Sequence, residues 1–384
     1  MSNPFERITK TVEECCFPIT PPARIKKEEY SDKGTFPIID QGNAFVAGYS
    51  NNENAVCSYP PYVIFGDHTC ILKYVDFPFI QGADGIKILK NKNFVDLHYL
   101  YYALKNLRIK PKSYKRHWSW LKDNAIPICS DTIQKRIVSV LSSLDKKIAL
   151  NEQLNHNLEA MAQAIYDYWF VQFDFPDENG KPYKSSGGKM VWSKKLNRQI
   201  PTGWFEAAVE DYIKIGNGKD HKKVGYGGIP CYGSGGYMFG VAEAIYEGES
   251  VLLPRKGSLN NVMLVDEAFW TVDTMFYSIP KMKGAAKYVY YGIQIYDLAS
   301  MNLGTGVPSM TSTRLYSLKL VGVPSLILEK FDSIISPLLH KARKLKEENL
   351  KLSKQRDFLL PLLMNGQVTV TPQSEELNYD LAAH

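Results

Sequence analysis

The sequence predicts an α+β chain written twice: two mixed α/β globular domains separated by two long antiparallel coiled-coil helices, with pseudo-two-fold duplication. Three observations predict it. A seven-residue apolar repeat runs through residues 133–170 and recurs in frame 194 positions later. Each helical stretch follows a segment rich in Gly, Pro, aromatic and β-branched residues, the composition of short strands and tight turns. The 384 residues, 45% of them apolar, suffice for two cores.

In the first half, Phe36-Pro37-Ile38-Ile39 runs into the turn residues Asp40-Gln41-Gly42-Asn43, and Tyr62-Val63-Ile64-Phe65 runs into Gly66-Asp67. An aromatic helix-like stretch follows at 97–107, and Ile126-Pro127 punctuates the entry to the first long helix. One seam register of that helix carries Ile137, Leu144, Asn151, Leu158 and Ile165; the other carries Leu141, Ile148, Asn155, Ala162 and Trp169. A helix of about 38 residues spans roughly 57 Å at ~1.5 Å per residue. Residues 174–192, rich in Gly, Pro, Ser and Lys, read as a linker or hairpin-like connector.

The second half repeats these signals. Ile229-Pro230-Cys231-Tyr232 runs into Gly233-Ser234-Gly235-Gly236, and Ser250-Val251-Leu252-Leu253 into Pro254-Arg255. A helix-like stretch is expected at 288–298, and Val323-Pro324 again precedes a long helix. Its seam registers are Phe331, Leu338, Leu345, Leu352, Leu359 and Ile335, Ala342, Asn349, Arg356, Leu363, so that Asn155 and Asn349 are equivalent. Seam asparagines fix register at some cost in stability. Pro337 predicts a kink or a broken first turn, since it lacks the N–H of an interior helical residue. Antiparallel pairing is the simpler closure, because a parallel pair would need a connector of some 20 residues to travel back along the whole helix.

Composition bounds the function. The net charge of +6 permits a nucleic-acid partner without requiring one. No apolar run approaches the roughly 18 residues that cross a bilayer, and residues 1–10 lack the apolar core of a secretion signal, so a cytoplasmic chain is expected. The six cysteines and seven histidines are scattered, without the short spacings of a metal site; reduced structural thiols are expected. Catalytic classes fare poorly. Ser58-Tyr59-Pro60-Pro61-Tyr62 puts a tyrosine where an amino-methyltransferase needs a polar side chain to hold its target. The glycines from 216 to 240 match no phosphate-binding loop, and Asp177, Glu178 and Lys181 read as solvated linker charges rather than a nuclease centre. The remaining alternative to a nucleic-acid reader is a coiled-coil scaffold that binds only proteins.

The stretches Ile133-Gln134-Lys135-Arg136-Ile137-Val138, Leu144-Asp145-Lys146-Lys147-Ile148, Leu158-Glu159-Ala160-Met161-Ala162 and Trp169-Phe170-Val171-Gln172-Phe173 resemble the first conserved region of type I restriction-modification specificity subunits. Pro182-Tyr183-Lys184-Ser185-Ser186-Gly187-Gly188 and Ile200-Pro201-Thr202-Gly203-Trp204 resemble the family's lead into a second target-recognition domain. The resemblance extends from about residue 5 to 367. It implies target-recognition domains at 1–131 and 204–324, conserved spacer helices at 132–172 and 325–367, a linker at 173–203 and a disordered tail at 368–384. It also implies a non-catalytic subunit that reads double-stranded DNA in complex with two methyltransferase subunits and with restriction-translocase subunits. By that resemblance S-adenosylmethionine and ATP with magnesium sit on the partners, and none in this chain. The second helix departs from the pattern in carrying Pro337 and lacking the Trp-aromatic ending of the first. Unlike modules on a rigid spacer are expected to read a bipartite, asymmetric site.

Candidate DNA contacts follow from chemistry. Residues 105–122 hold seven Lys/Arg and no acid, interleaved with aromatics; Lys110, Lys112, Tyr114, Lys115 and Arg116 are singled out. Asp67, His68 and Thr69 form the turn after the β-type run Tyr62-Val63-Ile64-Phe65 of the first module. In the second, Lys219, His221 and Lys222 lie in a Gly-rich loop, and Arg255, Lys256, Ser258 and Asn260 follow a β-type run. Arg and Lys donate to guanine and Asn addresses adenine with two bonds. Thr305 and Ser309 lie in a further Gly-containing loop. The charged run 341–354 reads as a solvated helix face.

Overall fold

Tyr62-Val63-Ile64-Phe65-Gly66 carries no charged residue, the pattern of a strand covered on both faces. In the computed structural model, which describes residues 6–83, 85–111, 116–302, 304 and 306–370, it is buried throughout. It lies inside a four-stranded antiparallel sheet ordered Cys16–Ile19, Ile86–Asn91, Tyr62–Gly66, Leu72–Val75. A second sheet is ordered Gly48–Ser50, Phe36–Ile39, Phe79–Gln81, Val56–Cys57, with Phe36–Ile39 parallel to Phe79–Gln81. Helix Leu97–Asn106 packs its buried face on this module, its first turn capped by Asp96, which accepts from the Tyr99 N–H at 2.8 Å.

The second module has the same strand order with the breaks closed. Its six strands run Ile213–Asn217, Met275–Pro280, Tyr246–Pro254, Met263–Thr271, Tyr226–Gly233, Gly236–Val241. Here Tyr246–Pro254 takes the place of Val56–Cys57 and Tyr62–Gly66, and Met263–Thr271 that of Leu72–Val75 and Phe79–Gln81. The interruptions in the first module fall at Pro60-Pro61 and Pro78, residues that cannot donate to a ladder. The parallel contact recurs as Cys231–Trp270 and Tyr232–Thr271. The expected helix at 288–298 is shifted: it spans Ala285–Ile293. Strand pairs Ile8–Thr11 with Ala125–Ile128 and Phe205–Ala208 with Lys319–Gly322 close the two modules in the same way.

The long helices are Asp131–Tyr166 and Ser325–Asn365. The chain divides into two compact units, Met1–Asn151 with Glu347–His384, and Glu152–Lys346. The units therefore split each long helix. In the first unit Arg356 donates to Asp145 at 2.7 Å, and the Asn151 amide donates to Glu348 at 2.8 Å and Asn349 at 2.9 Å. In the second, Lys346 donates to Glu159 at 2.8 Å and the Trp169 and Phe331 rings lie 5.9 Å apart. In each unit the partner's number falls as the residue's rises, so the segments pair antiparallel. Every seam position named from the sequence is buried or half-buried, while the off-frame Leu150, Leu154, Leu350 and Phe358 are exposed.

One expectation is corrected here. The second helix runs unbroken through Pro337. Pro337 and Ser333, whose carbonyl it deprives of a partner, are both exposed, so water can satisfy the freed oxygen. The connector 173–203 takes the hairpin-like of its two readings. It forms the hairpin Met190–Ser193 with Arg198–Pro201, and Phe173 and Phe175 are buried against Trp204. Burial of each of these rings is worth about 1.5–3 kcal/mol. The tail from 371 lies outside the described residues. Among the described residues, no helix is long and apolar enough to cross a membrane.

Candidate nucleic-acid interface

Both central strands deliver the residue that follows them to the same construction. The Asp67 N–H donates to the Gly85 carbonyl at 2.6 Å, and the Asp67 carbonyl accepts from the His117 N–H at 2.8 Å. At the equivalent place the Arg255 N–H donates to the Thr274 carbonyl at 2.9 Å, and the Arg255 carbonyl accepts from the Met310 N–H at 2.9 Å. A strand-end turn is thus clamped between two loops in each module. The neighbouring hairpin joins in both. The Thr69 hydroxyl donates to the Gln41 carbonyl at 2.9 Å, and the Asn261 amide donates to the Ser234 carbonyl at 2.9 Å.

In the second module these loops border a cleft of about 670 Å³ lined by Asp220, His221, Lys222, Ser234, Met238, Asp273 and Thr274, among others. The Arg255 and Lys256 N–H groups both donate to Thr274, at 2.9 and 3.2 Å, which brings them to its rim. The Arg255 guanidinium lies 5.7 Å from the centre of the Phe276 ring. Lys256 bridges to Ser309, and the Gly257 N–H donates to Pro308 at 2.9 Å. Gly257 has φ +86°, and a Cβ there would lie 2.9 Å from Ser234 Oγ, so glycine is required for this approach. The Lys219 carbonyl accepts from the Trp270 indole at 2.9 Å, anchoring the loop that carries His221 and Lys222. Of the candidates, His221 and Lys222 line the cleft, Lys219 adjoins them in the same loop, and Arg255 and Lys256 reach it through Thr274, with Ser309 bridged to Lys256 and exposed Ser258 beside Gly257. Asp220 and Asp273 are the acids among its lining residues.

Three candidates are reassigned. Asp67 is 3% exposed, and its carboxylate accepts from the N–H groups of His117 at 2.9 Å and Trp118 at 2.7 Å. It holds the end of the basic loop in place instead of facing outward. Thr69 spends its hydroxyl on Gln41. Asn260 donates to Asp297 at 2.9 Å and accepts from the Ala299 N–H at 2.9 Å, so both ends of the amide that would read adenine are engaged within the chain. His68 is half-buried in the same turn, its N–H donating to Gln41 at 3.2 Å. In the basic loop Lys110 and Arg116 are exposed. Lys112, Tyr114, Lys115 and Thr305 lie outside the described residues.

Lys73 was not singled out from the sequence. It is 4% exposed, its ammonium donates to the carbonyls of Asp40 at 2.9 Å and Ala44 at 2.5 Å, and burial lowers its pKa. It braces the turn that carries Gln41. Its signal was weak, a lysine between apolar residues in a strand, which reads as an outward-facing position. Among the described residues, no three of His, Cys, Asp or Glu gather as metal ligands.

The arrangement is one of cations, hydroxyls and backbone turns around an open cleft, suited to holding an extended polyanion. The family model described as the type I restriction modification DNA specificity domain matches residues 16–160. The specificity subunit of the type I restriction enzymes EcoR124I/EcoR124II of Escherichia coli is 27% identical over 350 residues, covering 82% of this chain and 83% of the relative. That of MjaIX from Methanocaldococcus jannaschii is 25% identical over 278 residues, covering 66% of this chain and 62% of the relative. Over most of its length the chain is similar to type I restriction-modification specificity subunits. A crystal structure of a type I S subunit from M. genitalium superposes with a TM-score of 0.65 at 20% identity, covering 97% of this chain and 98% of that one. Likeness to that specificity subunit extends the shared α+β fold beyond the stretch matched by the family model.

Proposed function

We propose that this chain is the DNA-reading subunit of a type I restriction-modification complex and carries no catalytic centre of its own. Each module reads one half of a bipartite, asymmetric site, and the paired long helices, copies of one ancestral element, set the spacing between the halves. The helices also dock two methyltransferase subunits, which bind S-adenosylmethionine, and the complex recruits restriction-translocase subunits that use ATP and magnesium. Its compartment is the cytoplasm. The domain boundaries proposed from the sequence serve this division of labour.

The observation that carries the reading is that one clamped-turn construction is built twice from unlike sequences, Asp67-His68-Thr69 in the first module and Arg255-Lys256-Gly257 in the second. Equal scaffolds with different side chains are what two different half-sites require. Phosphate contacts from Lys219, Lys222 and Lys256 would set register, while few side chains read base edges. The test is methylation mapping in a host that supplies the partner subunits. Replacing Arg255 and Lys256 by Ala should relax or weaken only the half-site read by the second module. Both half-sites unchanged would remove Arg255 and Lys256 from the reading surface. Sequence-independent binding by the assembled complex would overturn the reader altogether.

A further inference from the structure

The cleft beside Arg255 contains a side chain that phosphate binding does not explain. Met238 is 48% exposed and lines the cleft with His221, Lys222, Ser234 and Thr274. The other large apolar liner, Val272, is 6% exposed and belongs to the core below. Met238 is therefore the apolar surface offered to an occupant. Its place is prepared: a Cβ on Gly233 would lie 2.8 Å from the Met238 sulfur, so the thioether rests across a position that must stay bare. Strand Gly236–Val241 carries it, paired to Tyr226–Gly233 on the rim-side hairpin.

A phosphate offers an apolar group nothing. The major-groove edge of a base pair offers one apolar handle, the C5 methyl of thymine. A thioether is polarizable and adjusts its shape to such a contact. We propose that Met238 is a specificity-determining residue, packing on a thymine methyl in the half-site read by the second module while Lys222 and Lys256 hold the flanking phosphates. This rests on the DNA-reading function proposed above.

The test uses the full chain assembled with its modification subunits and a duplex carrying both half-sites found by methylation mapping. A matched duplex has uracil in place of thymine in that half-site, which removes only the methyl. Wild type should bind the uracil duplex about fourfold more weakly, the worth of one buried carbon group. Met238→Ala should bind both duplexes equally. Gly233→Ala, which pushes the thioether aside without removing it, should also lose the discrimination, while Met238→Leu keeps it. A half-site without thymine, a wild type indifferent to uracil, or a Met238→Ala that still discriminates would each overturn the assignment. Failure of the wild-type complex to prefer the mapped duplex over an unrelated one would instead overturn the DNA-reading function.

Discussion

Replacing Lys287 by Met tests how the second module is fastened to its long helix. Lys287 lies on helix Ala285–Ile293 with a side chain 5% exposed, and pairs with Glu249 on strand Tyr246–Pro254 and with Asp332 on the second long helix. The Asp332 contact is 2.6 Å, and Asp332 also accepts from the Ser336 hydroxyl at 3.1 Å. Removing the ammonium strands two carboxylates, 23% and 10% exposed. Breaking a buried pair from one side costs about 3–5 kcal/mol. Glu249 can rehydrate and Lys283 remains 3.9 Å from Asp332, which puts the loss near the lower end, about 3 kcal/mol. For a unit of this size each kcal/mol shifts Tm by about 2–4 °C, so a fall of roughly 6–12 °C is expected. Calorimetry of the full chain measures it, and hydrogen exchange locates the loosening to the second unit. The double variant Lys287→Met, Asp332→Leu should recover much of the loss, because it removes the buried charge as well as its partner. A single variant within about 2 °C of wild type would refute the charge argument. A double variant no better than the single would show that packing, and not charge, sets the cost.

Two further perturbations probe the first unit. Asp67→Ala leaves the His117 and Trp118 N–H groups without their carboxylate acceptor, which should cost about 1–3 kcal/mol and speed proteolysis within residues 105–122, while the second module's half-site stays the same; an unchanged cleavage rate would remove Asp67 from its positioning role. Burial pushes the thiols of Cys15 and Cys57 up to about 11 and that of Cys16 to about 12, from the usual 9.0. Since the folded chain holds these protons more tightly, their contribution to stability is complete below pH 9 and is lost as pH rises through 11. Urea midpoints should fall across that window, and thiol reagents at pH 8 should react slowly until urea is added; rapid labelling of native protein would contradict the burial.

What the sequence determined by itself is what repeats along the chain. A seven-residue period needs no tertiary information, because helical geometry alone fixes which side chains share a stripe. It therefore separated seam residues such as Ile137, Leu141 and Phe331 from Leu150 and Phe358, equally apolar but exposed. The recurring pattern, the strand-end turns and the cations in the loops of the second module were legible for the same reason: they follow from local pattern and residue type. What a polar side chain does was not legible. Asp67 and Asn260 had the right chemistry for reading bases, but partners 50 and 37 positions away claim them. Lys73 and Met238 showed the opposite, a charge spent inside and an apolar group left outside. Pro337 broke a local rule without ending the helix, at a place where it and Ser333 are both exposed and water can reach the freed carbonyl. Hydrogen-bond partners and exposure are set by residues distant in the chain, so only the tertiary structure decided which of the candidate groups remain available to a ligand.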